Sequence, residues 1–187
     1  YSSAASDVYK RQTRFGSPIL SDCTFSNNSA ISSGGGMQAY EGSPTLNDCT
    51  FSNNSAEYGD GGAIFTLFSS PTLNGCTFSD NSAGDYGGGV HIEEVITIAI
   101  LTDCTFTNNS APYGGAFWNF SGSGATIVTN AAICDNSSPQ IRGTYTDGGG
   151  NCIVENCDAD SDGDGTPDCE DGCMNDPSKT EPGECGC

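Results

Sequence analysis

Positive charge is the scarcest feature of this 187-residue chain. It has 5 lysines and arginines against 24 aspartates and glutamates, and its formal net charge is −19 at pH 7. Nucleic-acid binding needs clustered cations to neutralise phosphates, so no nucleic-acid partner is expected. The same deficit argues against direct binding to an anionic membrane surface or an acidic polymer, unless a cation bridges the two.

Long apolar runs are also missing. A run such as VITIAIL at Val95–Leu101 has the length of a strand rather than of a membrane span, so no direct membrane insertion is expected. The chain instead has 11 cysteines in an acidic background rich in Gly, Ser, Asn and Thr. Because disulfides persist in oxidising compartments, this composition predicts a secreted or cell-surface protein, extracellular or at a bacterial-type outer membrane.

The first residues need separate treatment. The stretch SSAASDVYKRQ at Ser2–Gln12 resembles the in-frame translation of a common transposase-type sequencing-library adapter. We therefore predict that residues 1–12 are an artefact and leave them out of the fold prediction. Arg14, Arg142 and Lys179 then remain as the natural cations. We also expect both ends to be truncation points, so a missing signal peptide does not bear on localisation.

One eight-residue pattern, CTFSNNSA and its near copies, recurs along the chain. Its second asparagine falls at Asn28, Asn54, Asn81, Asn109 and Asn136, at intervals of 26, 27, 28 and 27 residues. Three residues earlier stand Phe25, Phe51, Phe78, Phe106 and Ile133, and two residues before those stand Cys23, Cys49, Cys76, Cys104 and Ala131. A glycine pair follows each asparagine, at Gly35-Gly36, Gly61-Gly62, Gly88-Gly89, Gly114-Gly115 and Gly148-Gly149. This is the pattern of a repeat protein.

The length and composition of the repeat favour a β-solenoid. Each unit is rich in Gly, Asn, Ser and Thr and has three short β-type runs, whereas helical repeats are longer and need good helix formers. We predict an all-β fold, a right-handed parallel β-helix of about five rungs over residues 13–152. Its phenylalanines are expected to stack in the core and its asparagines to share amide hydrogen bonds along the axis. Ser137–Asp147 is predicted to be a loop inserted into the last rung.

The F-x-x-N pattern, followed by G-G-A and a hydrophobic residue at Gly61–Ile64 and Gly114–Phe117, resembles the repeat of polymorphic outer-membrane proteins. More broadly, it resembles the pectin-lyase-like right-handed β-helix superfamily. That resemblance covers about Phe15 to Cys152 and implies the fold. It leaves the function open, because the superfamily includes adhesins, autotransporter passengers, lyases and hydrolases.

An acidic motif follows the repeats, within residues 153–187. Aspartates alternate around a glycine, which is the spacing at which loop carboxylates converge on a hard cation such as Ca²⁺. The predicted metal ligands are Asp160, Asp162, Asp164, Thr166, Asp168 and Asp171, with Gly165 at the sharp turn. The motif resembles the thrombospondin type 3 calcium repeat. The alternative is a disordered acidic linker, since runs of like charge are usually just exposed to solvent.

The cysteines fall into two sets. Cys23, Cys49, Cys76 and Cys104 recur with the repeat, and we expect small buried side chains there rather than a redox or metal ladder. The other seven are Cys134, Cys152, Cys157, Cys169, Cys173, Cys185 and Cys187. Spacing does not fix their connectivity, but Cys169–Cys185 and Cys173–Cys187 are the pairs that we considered.

Two enzymatic alternatives can be weighed. A polysaccharide lyase needs a base and clustered cations, but Arg14 and Arg142 are about four rungs, nearly 20 Å, apart. A glycoside hydrolase needs only two carboxylates, and Asp22, Asp48 and Asp103 share one register, at predicted separations of about 5 and 10 Å. Aspartate is also a common turn residue at such positions.

Two further groups carry possible chemistry. His91, expected to be exposed, lies beside Glu93 and Glu94 on one predicted strand. Aromatic residues near the glycine pairs could form a sugar-stacking stripe or could simply pack against turns. They are Tyr58, Tyr86, Tyr113, Phe117 and Trp118.

These features predict a non-catalytic, structural or adhesive β-helix at the cell surface, with a structural calcium site in its tail. An extracellular glycan or another cell-surface molecule is the expected partner, and the oligomeric state is left open. The alternative is a carbohydrate-binding or glycoside-hydrolase-type β-helix that uses the stacked aspartates.

Overall fold

The computed structural model describes residues 6–7, 11–93, 98–120 and 125–170, where all regular secondary structure is β-strand. In chain order the first strands are β1 (Ser6–Asp7), β2 (Arg11–Arg14), β3 (Ile19–Ser21), β4 (Thr24–Ser26), β5 (Ser29–Ala30), β6 (Met37–Tyr40), β7 (Thr45–Asn47), β8 (Thr50–Ser52), β9 (Ser55–Ala56), β10 (Ile64–Leu67) and β11 (Thr72–Asn74). They are followed by β12 (Thr77–Ser79), β13 (Ser82–Ala83), β14 (Val90–Glu93), β15 (Ile98–Thr102), β16 (Thr105–Thr107), β17 (Phe117–Phe120), β18 (Ala125–Thr129), β19 (Ala132–Cys134), β20 (Ile141–Gly143), β21 (Thr146–Asp147) and β22 (Cys152–Ile153). Within the described ranges, no helix has the length and apolar character needed to cross a membrane.

The strands form a parallel β-solenoid of about five rungs, as predicted. Sheet 1 runs β1-β4-β8-β12-β16-β19-β22, sheet 2 runs β2-β6-β10-β14-β17-β20, and sheet 3 runs β3-β7-β11-β15-β18-β21. A short sheet 4, β5-β9-β13, adds a fourth strand to three of the rungs. Each strand pairs with its equivalent one repeat away, so identical residues stack along the axis: Phe51, for example, lies opposite Phe25 and Phe78.

The interior is a stack of apolar side chains, and its centre is the phenylalanine column of sheet 1. Ring centroids are 4.6 Å apart for Phe25–Phe51, 5.2 Å for Phe51–Phe78 and 4.7 Å for Phe78–Phe106, with interplanar angles of 10° or less. Leucines from sheet 3 pack against this column, and so do the first residues of β6, β10, β14 and β17, which are Met37, Ile64, Val90 and Phe117. The predicted phenylalanine stack is confirmed.

The repeated asparagines form a buried ladder beside that stack. Each side-chain Nδ2 donates to the Oδ1 of the asparagine in the next rung, at 2.9 Å for Asn54 to Asn81 and for Asn81 to Asn109. The same Oδ1 also accepts the backbone N–H of the preceding asparagine, as Asn81 Oδ1 does from Asn54 at 3.0 Å. Gln140 ends the ladder by accepting from Asn136 and donating to the Val154 carbonyl. The predicted amide ladder is confirmed. Each asparagine side chain in it hydrogen-bonds to the asparagines of the rungs before and after its own.

The glycine pairs let neighbouring rungs approach closely. Gly61 has a φ of +65°, and a Cβ on Gly62 would overlap the carbonyl oxygen of Gly88 in the next rung. Glycine is the residue that meets both conditions without a steric penalty.

The last rung differs from the prediction. Ser137–Asp147 is not a simple inserted loop, because it contains β20 and β21, which continue sheets 2 and 3. The residues that stack on Gly115 and Ala116 are Pro139 and Gln140, which accept their N–H groups. Gly148-Gly149 is therefore not the fifth glycine pair. It lies at the corner after sheet 3, where Asn130 N–H donates to the Gly149 carbonyl.

The predicted start at residue 13 falls inside a strand. Arg11 and Gln12 pair in register with Met37 and Gln38. An exposed strand edge pairs with almost any extended segment, so this pairing does not depend on the origin of the residues. The adapter interpretation of residues 1–12 stays a prediction.

Candidate metal centre and other predicted site residues

Three of the predicted calcium ligands converge. Asp160, Asp162 and Asp164 each offer a carboxylate oxygen, and these oxygens lie within 4.8 Å of one another. The loop is turned by Gly163 and Gly165, whose φ values are +79° and +92°. Since these conformations favour glycine, the alternation of aspartate and glycine brings the three carboxylates to one side of a tight turn.

Backbone amides hold this acidic turn in place. Asp160 accepts the N–H of Gly163 through Oδ1 at 2.8 Å and the N–H of Gly165 through Oδ2 at 3.0 Å. Asp164 Oδ1 accepts the Thr166 N–H at 2.7 Å. The turn is thus ordered by its own hydrogen bonds, and the carboxylates retain further lone pairs for a cation.

The remaining predicted ligands are placed differently. Asp168 is buried, with 7% of its surface exposed, and both of its oxygens accept hydrogen bonds from Ser161, at 2.7 Å from the backbone N–H and 2.7 Å from Oγ. It closes the loop and does not belong to the three-carboxylate group. Asp171 lies outside the described residues. The full ligand set stays a prediction.

Two disulfides attach this loop to the last rungs. Cys134 bonds Cys157 and Cys152 bonds Cys169, with Cα–Cα distances of 5.1 and 5.3 Å. The considered pair Cys169–Cys185 is therefore wrong, because Cys169 is already bonded to β22. The considered pair Cys173–Cys187 lies outside the described residues.

The register explains why Cys134 and Cys152 are the anchors. Cys134 continues the outward column of Ser52, Ser79 and Thr107 on sheet 1. Cys152 continues the neighbouring column through Thr105 and Ala132. Both half-cystines thus belong to the outer face of sheet 1, and the acidic loop is attached to that face.

The aspartates of the hydrolase alternative occupy one corner of the solenoid. Asp22, Asp48 and Asp103 have φ values of +53°, +52° and +53° and are exposed. Gly75, at +60°, and Asn130, at +51°, take the equivalent places in the other rungs. Asparagine, aspartate and glycine are the residues that tolerate this left-handed conformation. The corner therefore accounts for the residue type, and a catalytic role stays a prediction.

The aromatic residues divide between two faces. Tyr86, Tyr113 and Trp118 meet outside sheet 2: the Tyr86 and Tyr113 rings stack with centroids 5.3 Å apart, and the Tyr86 and Trp118 centroids are 3.5 Å apart. The prediction that Phe117 belongs to the same aromatic stripe is wrong, because Phe117 is fully buried in the core beside Phe106. Successive strand residues point to opposite faces, so Phe117 and Trp118 cannot share one. Tyr58 remains 77% exposed.

His91 is buried, contrary to the prediction that it is exposed. Only 3% of its surface is accessible, because the rings of Phe65, Tyr86 and Trp118 cover it. Glu93 on the same strand is half-buried, and Glu94 lies outside the described residues. A strand pattern gives the direction of a side chain but does not show which corner residues fold over it.

Three of the four repeat cysteines are buried as expected, whereas Cys23 in the first rung is half-buried. Cys49, Cys76 and Cys104 are free thiols with at most 1% exposure, and each donates to the carbonyl two residues earlier, at 3.3 to 3.4 Å. Among the described residues, the carboxylates of Asp160, Asp162 and Asp164 are the only group arranged like a metal site. The prediction of small buried side chains is confirmed for these three positions.

We expect the Cys49 and Cys76 thiols to resist alkylation until the protein unfolds. Hydrogen bonding to Cys104, together with burial, raises the pKa of the Cys76 thiol to about 12, and hydrogen bonding to Cys76, together with burial, raises the pKa of Cys49. A raised pKa leaves little of the reactive thiolate. Iodoacetamide at pH 8, followed by peptide mass spectrometry, should leave Cys49 and Cys76 unmodified in buffer and modify both in urea.

The pH dependence follows from the direction of those shifts. The unfolded thiols ionise near the ordinary value of about 8.5. The folded Cys76 resists ionisation up to about 12. Cys49 and Cys76 should therefore lower the free energy of unfolding as pH rises through that interval, whereas the lowered pKa of Cys104 acts in the opposite direction. Equal labelling of Cys49 and Cys76 in buffer and in urea at pH 8 would contradict the burial of these two thiols.

Comparison with known families agrees with the solenoid. Residues 4–133, more than half of the chain, match the family model described as a right-handed β-helix region. Searches of curated proteins and of solved structures found no match. The match supplies the handedness that the repeat predicted, and it covers the phenylalanine column and the asparagine ladder as far as Asn109. The chain therefore belongs to the right-handed β-helix family.

Proposed function

We propose that this chain is part of an extracellular or cell-surface protein in which the β-helix is a structural or adhesive stalk and residues 153–187 bind calcium as a structural ion. The observation that carries the proposal is the contrast between the two regions. Equivalent residues occupy equivalent places in successive rungs, whereas the convergent carboxylates occur in one loop that two disulfides attach to the last rungs. A scaffold can be built from identical rungs that each contact their neighbours. A catalytic site needs side chains that are present in one rung and absent from the others.

The disulfides support an oxidising location. They lie in a segment with few apolar residues, which cannot be held by burial alone. Such bonds persist outside the cytosol, in secreted and cell-surface proteins.

The donor set suits a hard cation. Residues 154–170 contain seven acidic side chains and no lysine or arginine. Three of the carboxylates lie within 4.8 Å of one another, so they repel unless a cation neutralises them. Oxygen-only ligands favour Ca²⁺ or Mg²⁺ over zinc or copper. Asp160, Asp162 and Asp164 are the residues that would hold the ion, and its role would be to order the loop.

We expect calcium to protect this loop from proteolysis. Limited digestion under non-reducing conditions should cut residues 154–170 several-fold faster in EGTA than in calcium, while the β-helix fragment survives in both. Terbium luminescence would report binding directly. Identical digestion in calcium and EGTA would contradict a structural calcium site.

A matched pair of variants separates binding from general charge. Asp162→Asn removes a carboxylate of the convergent group, whereas Asp158→Asn removes an acid just before it. The first change should abolish the calcium protection, and the second should preserve it. Equal loss in both variants would mean that net charge, not the loop geometry, determines protection.

The adhesive role rests on the resemblance to polymorphic outer-membrane protein repeats and to pectin-lyase-like β-helices, together with the thrombospondin type 3-like tail. We infer an extracellular glycan or another cell-surface molecule as the partner. We do not favour the glycoside hydrolase, because its aspartates occupy a corner that demands a left-handed residue. Release of reducing sugar from a glycan panel, compared between the wild type and Asp48→Asn, tests that alternative.

A further inference from the structure

The corner that follows each strand of sheet 1 carries a repeated surface position, which neither the core nor the acidic loop explains. It is the residue directly before each ladder asparagine, and its φ lies between +54° and +57° in five successive rungs. The residues are Asn27, Asn53, Asp80, Asn108 and Asp135, and all five are exposed. Aspartate fits this left-handed corner in two rungs, so the backbone does not require an amide side chain in the other three.

The three asparagines of this corner each begin an Asn-x-Ser tripeptide, completed by Ser29, Ser55 and Ser110. Enzymes that attach glycans to asparagine accept this tripeptide when the middle residue is not proline. Two further tripeptides of the same kind begin at Asn119 and Asn136. The sequence pattern alone therefore offers five equivalent acceptors.

The fold makes two of these five acceptors inaccessible. Asn119 is 2% exposed, and its Nδ2 donates to the Thr144 carbonyl at 2.6 Å. Asn136 is 6% exposed, and its Nδ2 donates to the Phe106 carbonyl at 2.9 Å within the amide ladder. Because a transferase must reach the amide nitrogen, neither residue can be modified in the folded protein.

The corner asparagines are held by their backbone, which leaves their side chains at the surface. The N–H of Asn27 donates to the Ser52 carbonyl at 3.0 Å, and that of Asn53 donates to the Ser79 carbonyl at 3.1 Å. Both bonds join the corner to the next rung. The amide groups therefore lie on a rigid edge without contributing to the buried ladder.

The serines that complete the corner tripeptides lie at the same surface. Ser29 and Ser110 are exposed, and Ser55 is half-buried. The Ser110 N–H donates to the Asn81 carbonyl at 2.8 Å, so its position is fixed by the backbone while its hydroxyl faces solvent. Amide and hydroxyl are thus presented together, as an Asn-x-Ser acceptor requires.

We propose that Asn27, Asn53 and Asn108 are N-glycosylation sites, so that one corner of the β-helix carries covalently bound glycan. The donor would be an activated sugar of the glycosyl diphosphate class. Nδ2 forms a bond to the anomeric carbon of the sugar, and the bond from that carbon to the diphosphate breaks. The diphosphate leaves with the bonding electrons, Nδ2 releases one proton, and no group is oxidised or reduced. The glycans would hydrate this edge without entering the core.

Glycan transfer to the folded protein tests the proposal. The whole protein, incubated with UDP-glucose and a soluble N-glucosyltransferase specific for Asn-x-Ser/Thr, should gain glucose at Asn27, Asn53 and Asn108. Peptide mass spectrometry locates each glucose. Asn119 and Asn136 should stay unmodified in the folded protein, whereas short unfolded peptides around these two residues should accept glucose.

Matched variants separate the acceptor from the shape of the corner. Asn108→Asp should remove one glucose and preserve the fold, because aspartate has the same conformation at Asp80 and Asp135. Ser110→Ala should remove the same glucose, and Ser110→Thr should retain it. Asp80→Asn completes a fourth Asn-x-Ser tripeptide at the corner, with Ser82, and should add one glucose.

A second measurement uses the membrane-bound enzyme of a secretory pathway. The chain secreted from a eukaryotic cell line should carry glycan at the same three corner asparagines. Unchanged far-UV circular dichroism would show that the variants keep the fold. The proposal is overturned if the corner asparagines of the folded protein take up no glucose, if the secreted chain carries no glycan at any of them, or if Asn119 and Asn136 are modified as fully as the corner.

Discussion

Replacing Phe78 with alanine should lower the free energy of unfolding by about 3–5 kcal/mol, the range for truncating a fully buried aromatic ring. The Phe78 side chain is completely buried, and its ring stacks between Phe51 and Phe106 at centroid distances of 5.2 and 4.7 Å. Both neighbours would face the cavity, and strands paired in register cannot close around it without breaking ladder hydrogen bonds. Urea unfolding followed by far-UV circular dichroism measures the loss.

The matched control is Phe120→Ala. This ring is 54% exposed, and it contacts the Trp118 ring at a centroid distance of 6.0 Å. Its removal should cost about 1 kcal/mol or less, because surface truncations leave no cavity. If the two variants lose similar free energy, the phenylalanine column is not the centre of the core.

Replacing Asn81 with alanine should cost about 2–4 kcal/mol, although the residue is polar and small. Its side chain accepts from the N–H and Nδ2 of Asn54 and donates to Asn109 Oδ1 and to the Phe51 carbonyl. Alanine would leave those buried partners unsatisfied, and each such group costs about 1–3 kcal/mol, partly relieved by relaxation. The effect therefore exceeds that of losing one ordinary hydrogen bond.

Asn74→Ala provides the control within the same rung. Asn74 belongs to a second asparagine pair, in which its Nδ2 donates to Asn47 Oδ1 at 2.9 Å, but that pair is only half-buried. Water can replace the lost partner there, so the cost should stay below about 1.5 kcal/mol. Urea unfolding of both variants in parallel would show whether burial or residue type sets the cost. Equal losses would mean that the inner ladder is no more important than the outer one.

The fold was accessible from the sequence because the solenoid is periodic. The equivalent of Asn54 recurs in all five copies and the equivalent of Phe51 in four of them, and stacking places equivalent residues on each other. The register, the phenylalanine column, the asparagine ladder and the buried thiols therefore followed from the spacing of a few residue types. The acidic motif was equally local, since Asp160, Asp162 and Asp164 converge through a turn of their own segment.

The errors occurred where the repeat is interrupted or where distant residues meet. Gly148-Gly149 has the letters of a glycine pair, but Pro139 and Gln140 occupy that place in the stack. Cys169 could pair with several cysteines, and only the path of the chain after β22 brings it to Cys152. The burial of His91 depends on Tyr86 and Trp118, which come from a corner and from the next rung.

Residue spacing was therefore enough to predict the class of fold, the direction of most side chains and the acidic loop, because each depends on a short period or a local turn. The folded chain was needed to show which side chains cover one another outside the sheets and how the cysteine-rich segment attaches to the last rungs. Those contacts join residues that no period relates, since they depend on how corners and loops fold over the strands. The His91–Asp60 contact across two rungs is of this second kind.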